Sequence, residues 1–280
     1  MADPLGLDEV RRALAEDRAC DDVTTRLLGA PGERIATSRF VAEGRFVVVG
    51  LPLAALVFRE LDPGAAVTPL LAEGAWAVAG AMLATVRASA RALLAGERVA
   101  LNFLQRLCGI ATETRRAVEA VAGTGARITH TRKTTPGLRA LECYAVRAGG
   151  GVENRTSLAD AVMWKDNHWA LLEARGPRLA NLLRNAPPGL SVVVEIETDE
   201  QLEEALAAGA QHLMADNQPP ERIAVWRRRT GPRVTIQASG GITADRARDY
   251  ARAGADLIAI GALTHSVTAA PIRCDVAFAP

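Results

Sequence analysis

Lysine is nearly missing from this chain: Lys133 and Lys165 stand against 31 arginines among 280 residues. An excess of charge is missing too, since 33 basic residues face 32 acidic ones and the formal net charge is +1. That balance excludes the strong single-sign field with which a protein holds nucleic acid or an anionic membrane surface. Aromatic residues make up only 4%, which removes the stacking platforms of single-strand binders. No apolar run is long enough to cross a bilayer; Phe46 to Phe58 and Gly74 to Val86, the longest, are interrupted by Gly50, Pro52 or Gly80. The acidic start has neither the basic nor the apolar region of a secretory leader, so a cytoplasmic protein is expected. Cys20, Cys108, Cys143 and Cys274 lie far apart, with no CxxC and no zinc-type histidine spacing, and read as reduced thiols.

What is present is a chain that is 49% hydrophobic, enough to bury a large core in one big domain or two modest ones, which excludes disorder as the main theme. The first hundred residues mix periods. Residues 7 to 19 place Leu7, Val10 and Leu14 at helical spacing. Strands are expected at Ile35 to Ala42, Arg45 to Val49, Trp76 to Val78 and Gly80 to Leu83, with a helix over Leu51 to Leu61. From Ala88 to Ala122 the pattern is helical, read as two helices meeting near Cys108-Gly109.

Beyond residue 125 the chain alternates. Short β-branched or apolar runs occur at Arg127 to Thr129, Ala161 to Trp164, Ser191 to Ile196, His212 to Ala215, Val234 to Ala238 and Leu257 to Ile260. Helical segments lie between several of them, at Leu138 to Arg147, Pro177 to Asn185, Asp199 to Ala208, Pro220 to Arg229 and Ala244 to Ala253. Such alternation implies parallel strands with right-handed crossovers, hence an α/β barrel or a doubly wound sheet.

The residues after each strand carry the chemistry. In order they are Arg132-Lys133, Lys165-Asp166-Asn167, Glu197, Asp216-Asn217, Ser239-Gly240-Gly241 and Gly261-Ala262. A parallel barrel brings every strand C-terminus to one face, whereas a doubly wound sheet gathers only those beside its switch point; six such ends in succession favour the barrel. The turns at Ser239-Gly240-Gly241 and Gly261-Ala262 suit a phosphate, because backbone N–H groups and a helix start can approach an anion without an obstructing side chain. Glu197 and Asp216 suit ribose hydroxyls or a magnesium-bound polyphosphate; Asp216 also fits the simpler role of capping the next helix.

Arginine replaces lysine nearly everywhere, so the two surviving lysines mark places where a compact, tunable ammonium is needed rather than a planar fork. Two roles remain open for them: clamping phosphate or carboxylate oxygens, or forming a Schiff base. His168, His212 and His265 are read first as structural, Gly149-Gly150-Gly151 as a helix exit, and Arg98 as an ordinary helix residue. Trp164 and Trp169 are expected to pack at the barrel mouth.

At these motifs the chain resembles the quinolinate phosphoribosyltransferases, also called carboxylating nicotinate-nucleotide pyrophosphorylases. The matching segments include Asp22-Val-Thr-Thr25, Glu97 to Arg106, Gly109-Ile-Ala-Thr112, Thr131-Arg-Lys-Thr-Thr-Pro-Gly-Leu-Arg-Ala140 and Tyr144 to Gly151. Lys165-Asp-Asn-His168, Ala238-Ser-Gly-Gly-Ile242 and Gly261-Ala-Leu-Thr-His-Ser266 continue the series in order. The resemblance implies an N-terminal α/β sandwich domain over 1–110, completed by 268–280, and an open α/β barrel over 111–267. It implies a homodimer in which Arg98 reaches the neighbour's mouth. Arg132, Lys133, Arg155 and Lys165 would hold substrate carboxylates and pyrophosphate; Glu197 and Asp216 would face ribose and Mg2+; Ser239, Gly240, Gly241, Gly261 and Ala262 would cradle the 5-phosphate.

The departures cluster where the acceptor is read. The family's Asn-His-Arg is Glu153-Asn154-Arg155 here, and its aspartate before Thr-Arg-Lys is His130. The family histidine helps hold the pyridine dicarboxylate, while Asn154 donates hydrogen bonds without a positive charge. Val99 and Cys108 replace a threonine and a serine. The expected activity joins quinolinate to phosphoribosyl pyrophosphate, giving nicotinate mononucleotide, CO2 and pyrophosphate. The alternatives are a paralogue with another pyridine-type acceptor, a Schiff-base lyase and a non-catalytic ligand-binding descendant.

Overall fold

The computed structural model describes residues 4–173 and 178–277. The helices are α1 (Leu7–Glu16), α2 (Val23–Arg26), α3 (Leu51–Leu61), α4 (Ala90–Ala120), α5 (Arg139–Ala148) and α6 (Asp166–Glu173). They continue as α7 (Leu179–Arg184), α8 (Asp199–Ala207), α9 (Pro220–Thr230), α10 (Ala247–Arg252) and α11 (Ala262–His265). The strands of the first part are β1 (Ile35–Ala42), β2 (Phe46–Val47), β3 (Ala66–Pro69), β4 (Trp76–Ala77) and β5 (Met82–Ser89). Those that follow are β6 (Arg127–Thr129), β7 (Ala161–Trp164), β8 (Ser191–Ile196), β9 (His212–Asp216), β10 (Thr235–Ser239), β11 (Leu257–Ala259) and β12 (Ile272–Ala277). Among the described residues no helix is long and apolar enough to cross a membrane.

The chain divides into two compact units, one of residues 1–113, 135–150 and 267–280, the other of 114–134 and 151–266. The segment 135–150, placed with the barrel by its position in the sequence, belongs to the first unit. Residues 278–280 of the expected closing segment and Pro177 of the expected helix lie outside the described residues.

In the first unit an antiparallel sheet runs β12-β1-β5-β3. Its buried positions follow the period of two: Ala36, Ser38 and Phe40 on β1, and Ala84, Val86 and Ala88 on β5. The Phe40 ring meets Phe58 of α3 with centroids 6.1 Å apart, so sheet and helix share one apolar core. The start of α3 lacks a local cap. Gly50 takes φ +102, and the Glu73 carboxylate accepts from its N–H at 3.0 Å and from the Leu51 N–H at 3.0 Å, answering the orphan donors of the first turn. Tyr144 donates its hydroxyl hydrogen to the same carboxylate.

One helix, α4, replaces the two expected around Cys108-Gly109. Glycine lowers helix propensity by about 1 kcal/mol, which is why the sequence suggested a break. The reason it is tolerated is tertiary: a Cβ at Gly109 would lie 2.3 Å from the Thr268 carbonyl oxygen. The residue before it packs as closely, with the Val49 N–H donating to Cys108 Sγ at 3.2 Å. Burial pushes the Cys108 thiol up to about 12. Two further differences are local. The expected strand at Gly80 to Leu83 begins at Met82 and extends to Ser89, into the segment read as helix. Strand β3, which ends on a proline, pairs only with β5 at the sheet edge, where proline's missing N–H costs no ladder bond.

In the second unit six parallel strands run in the order β6-β11-β10-β9-β8-β7. Consecutive strands from β7 to β11 are neighbours, and β11 returns to pair with β6. The order never reverses, so there is no switch point. It is an α/β barrel open at the seam between β6 and β7. Burial on both faces explains the apolar runs: Val193, Val194, Leu213, Ala215, Ile236, Ala238 and Ile258 are all buried. On the outer helices Trp226 is fully buried, its Nε1 donating to Asp199 Oδ1 at 2.6 Å.

Two outcomes follow from this packing. Gly109→Ala forces α4 away from Thr268 and is expected to lower stability by about 1–3 kcal/mol, read as a shifted urea midpoint with an unchanged slope. Exposed Cys20 reacts first with a thiol reagent under native conditions, whereas buried Cys108 and Cys143 react only as the protein unfolds; a labelling time course followed by peptide mapping checks the order.

Candidate active site

At the C-terminal ends of the parallel strands lies a cavity of 690 Å3. Arg132, Lys133, Asn154, Arg155, Lys165, Asp216, Ser239, Gly240, Gly241, Gly261 and Ala262 all line it. Residues about 85 positions apart in sequence, such as Arg155 and Gly240, meet there because each follows or flanks a strand of one barrel.

After β6, the Thr264 hydroxyl holds the Lys133 carbonyl at 2.8 Å and the Lys133 N–H donates to Thr131 Oγ1 at 3.1 Å. The lysine stem passes over Gly261, where a Cβ would come within 3.2 Å of Lys133 Cδ and 3.0 Å of His265 Nε2. Arg132 and Arg155 are half-buried. Arg132 Nε is buried without a hydrogen-bond partner. Burial, with the Arg132 guanidinium nearby, pushes Arg155 below its ordinary value. The Glu195 and Asp160 carboxylates act in the opposite sense on Arg155, and an anion in the cavity would add to them.

After β7, Lys165 Nζ donates to Glu195 Oε2 at 2.6 Å, and the Asp166 N–H donates to Glu195 Oε1 at 3.3 Å. The Glu195 side chain is 4% exposed. An ammonium held in an ion pair is not the desolvated free amine that Schiff-base chemistry needs, so this geometry favours the clamping role for Lys165. Trp169 donates its indole N–H to the Glu195 carbonyl at 2.7 Å and packs edge-on to Trp164; the tryptophans support the strand end.

Glu197 departs from expectation. It is exposed just past β8, its N–H donates to Gln201 Oε1 at 2.7 Å, and it does not line the cavity. The acidic group that reaches the cavity lysine is Glu195, two positions earlier. A single charge inside the apolar run Val192-Val-Val-Glu-Ile196 was the available signal. Gln237, 1% exposed and lining the cavity, was equally visible as a lone amide within an apolar strand. Met163, Met214 and His265 are among the other residues that line it.

Asp216 accepts from Asn217 Nδ2 at 2.7 Å. It caps no helix, since α9 begins at Pro220 behind Pro219. Asn217 takes φ 51, and its N–H donates to the Ser239 carbonyl at 2.9 Å. Gly240 and Gly241 take φ +94 and +58, and a Cβ on Gly240 would lie 2.2 Å from Asn217 Oδ1, so both conformation and space demand glycine. The turn does not open straight into a helix: a 3₁₀ turn, Ala244–Arg246, precedes the short α10. What the turn offers an anion is the glycine backbone and Ser239 rather than a long helix dipole.

Arg98 is not among the residues that line this cavity. It is exposed on α4 in the first unit, beside a cavity of 380 Å3 that also involves Asp17, Asp21 and Asp22.

Comparison with known proteins agrees with this geometry. Residues 22–108 match the quinolinate phosphoribosyl transferase N-terminal domain and residues 110–275 the C-terminal domain. The nicotinate-nucleotide pyrophosphorylase [carboxylating] of Mycobacterium leprae is 42% identical over 275 residues, covering 96% of each chain. A probable enzyme of the same name from Bacillus subtilis is 40% identical over 93% of this chain and 90% of its own. The crystal structure of NadC from Streptococcus pyogenes superposes with a TM-score of 0.91 at 33% identity over 100% of both chains. The chain belongs to the quinolinate phosphoribosyltransferase family and is an enzyme of the pentosyltransferase class.

Proposed function

We propose that this enzyme transfers the phosphoribosyl group of phosphoribosyl pyrophosphate to the nitrogen of quinolinate, giving nicotinate mononucleotide, CO2 and pyrophosphate. The observation that carries the reading is the single cavity in which Arg132, Lys133, Arg155 and Lys165 face Asp216 and the Ser239-Gly240-Gly241 turn. One wall is cationic and the other offers a carboxylate and backbone donors. A substrate pair rich in phosphate and carboxylate fits that division.

In this reading Ser239, Gly240, Gly241, Gly261 and Ala262 cradle the 5-phosphate, fixing the ribose with its anomeric carbon toward the cations. The bond from that carbon to pyrophosphate breaks as the pyridine nitrogen bonds to it, and the arginines and lysines take up the charge gathering on the leaving oxygens. Asp216 faces the positive charge that develops on the ribose. Glu195, rather than Glu197, serves this side of the site by holding Lys165 in place. Once the nitrogen is quaternary, the ring accepts the electron pair of the breaking C2–carboxylate bond; CO2 departs and C2 takes a proton.

Magnesium fits as a companion of the substrate. Among the described residues no three His, Cys, Asp or Glu side chains form a metal cluster, and Glu195 is engaged by Lys165. A hard six-coordinate ion would therefore find Asp216 and draw its other ligands from polyphosphate oxygens and water, neutralising charge on the leaving group.

A second reading, transfer to a pyridine with fewer carboxylates, is favoured by one observation. His130, which stands where the family has aspartate, is buried and supplies no imidazole to the cavity, while Asn154 stands at the family's histidine position. A turnover panel of pyridine carboxylates separates the two.

With quinolinate, phosphoribosyl pyrophosphate and Mg2+ the protein is expected to release pyrophosphate and CO2 and to form a pyridinium chromophore. Lys165→Ala and Glu195→Gln are expected to lower kcat/KM by about 10²–10³. A folded wild-type protein that turns over no quinolinate overturns the reading.

The reading includes a homodimer in which Arg98 completes the neighbour's mouth. Arg98→Ala and Lys165→Ala proteins, each inactive alone, should then complement when mixed and allowed to exchange subunits, with roughly a quarter of the sites intact. No recovery in verified mixed dimers removes Arg98 from the shared site.

A further inference from the structure

The open seam of the barrel is not bare. Val152 forms a parallel bridge with Thr129 of β6; its N–H donates to the Ile128 carbonyl at 2.8 Å, and its carbonyl accepts from Thr129 Oγ1 at 2.9 Å. Directly beyond this bridge stand three of the residues that depart from the family pattern. His130 is fully buried. Its Nε2 lies 3.2 Å from Glu153 Oε2 and 3.2 Å from the Asn154 N–H. Asn154 Nδ2 donates to the His130 carbonyl at 3.0 Å, while Asn154 Oδ1 accepts from the Arg155 N–H at 2.8 Å.

These contacts change what the substitutions mean. The family pattern carries an acid at position 130 and an amide and an imidazole at 153 and 154. This chain carries an imidazole at 130, an acid at 153 and an amide at 154. The same three kinds of group are present, each at another place. The imidazole now lies with its side chain 1% exposed, out of reach of any ligand. The asparagine amide is engaged by backbone at both ends, and the second of those contacts is to Arg155 itself. Arg155 is the next residue along and lines the same cavity as Arg132, whose Nε is buried without a hydrogen-bond partner.

We propose that His130, Glu153 and Asn154 form a brace that positions the Arg155 guanidinium beside Arg132 for the acceptor's carboxylates, acting through Arg155 rather than on the acceptor. The inference deepens the proposed function and rests on it. A guanidinium recognises a carboxylate through two parallel N–H donors, and a displacement of about 1 Å forfeits one of them. Anchoring the backbone at 154 and 155 to strand β6 removes that freedom. The three are positioning residues. The arginine pair does the reading, which preserves recognition of adjacent carboxylates without a histidine in the cavity.

The test is a double-mutant cycle with quinolinate as the acceptor. Asn154→Ala is expected to raise KM for quinolinate by about tenfold or more, leaving KM for phosphoribosyl pyrophosphate within about twofold and the melting temperature nearly unchanged. Glu153→Gln, which keeps the size of the side chain, should act in the same direction. In an Arg155→Ala background the added effect of Asn154→Ala should fall below about twofold, because a brace has nothing left to hold. An equal factor in both backgrounds, an unchanged KM in the single variants, or parallel losses in both KM values and in melting temperature would each overturn the brace. Should Asn154→Ala fail to fold, Glu153→Gln carries the same cycle. Wild-type protein inactive on quinolinate sinks the proposed function and the brace together; active wild-type with insensitive variants sinks the brace alone.

Discussion

Positive charge gathered in one partly buried cavity is the constraint around which this site is organised. Arg132, Lys133, Arg155 and Lys165 share one cavity, and among the described residues only Lys165 forms a salt bridge, to the buried Glu195. Like charges this close repel more strongly than they would in water. The fold tolerates them because they sit at the strand ends of a barrel whose body is packed with valine, isoleucine and alanine, and the stability lost at the mouth is small beside that burial. The same repulsion makes the cavity receptive to anions. Burial and the Arg132 charge both lower Arg155, and a bound carboxylate or phosphate relieves what they impose.

Around that core of charge, each loop has a definite task. Glycine at 240 and 261 keeps side chains out of the space where the Asn217 side chain and the Lys133 stem must pass, and glycine at 241 allows the positive φ of the turn. Glu195 accepts from the Lys165 ammonium and from the Asp166 N–H, which fixes the lysine and the start of the helix behind it. The Val152 to Arg155 segment closes the edge that an open barrel would otherwise leave with unpaired backbone, and in doing so it carries an arginine to the mouth. One segment thus meets both a structural need and a chemical one.

Much of this was legible before any coordinates. The strand and helix alternation after residue 125, the two lysines at strand ends and the glycine turns all followed from period and position, because parallel strands buried on both faces leave few choices of residue within them. Local reasoning failed where a distant residue decided the matter. It broke α4 at Gly109, whose reason is the Thr268 carbonyl, and it took Glu197 for the strand-end acid when the charge inside the strand, Glu195, is the one that meets Lys165. The simpler role open to Asp216, capping the next helix, falls away because that helix begins at Pro220 behind Pro219.

The sequence by itself determined the class of fold, the family and the charged and glycine residues that line the cavity, since these depend on patterns of apolar spacing and on motifs held within a few residues of a strand end. Only the tertiary structure decided how Glu153, Asn154 and His130 are used. Side chains 24 positions apart, such as His130 and Asn154, show no relation along the chain; the parallel pairing of Thr129 with Val152 brings them within hydrogen-bond reach. Whether an asparagine faces a ligand or a backbone carbonyl is settled by the partner that satisfies its amide, and that partner lies just past another strand.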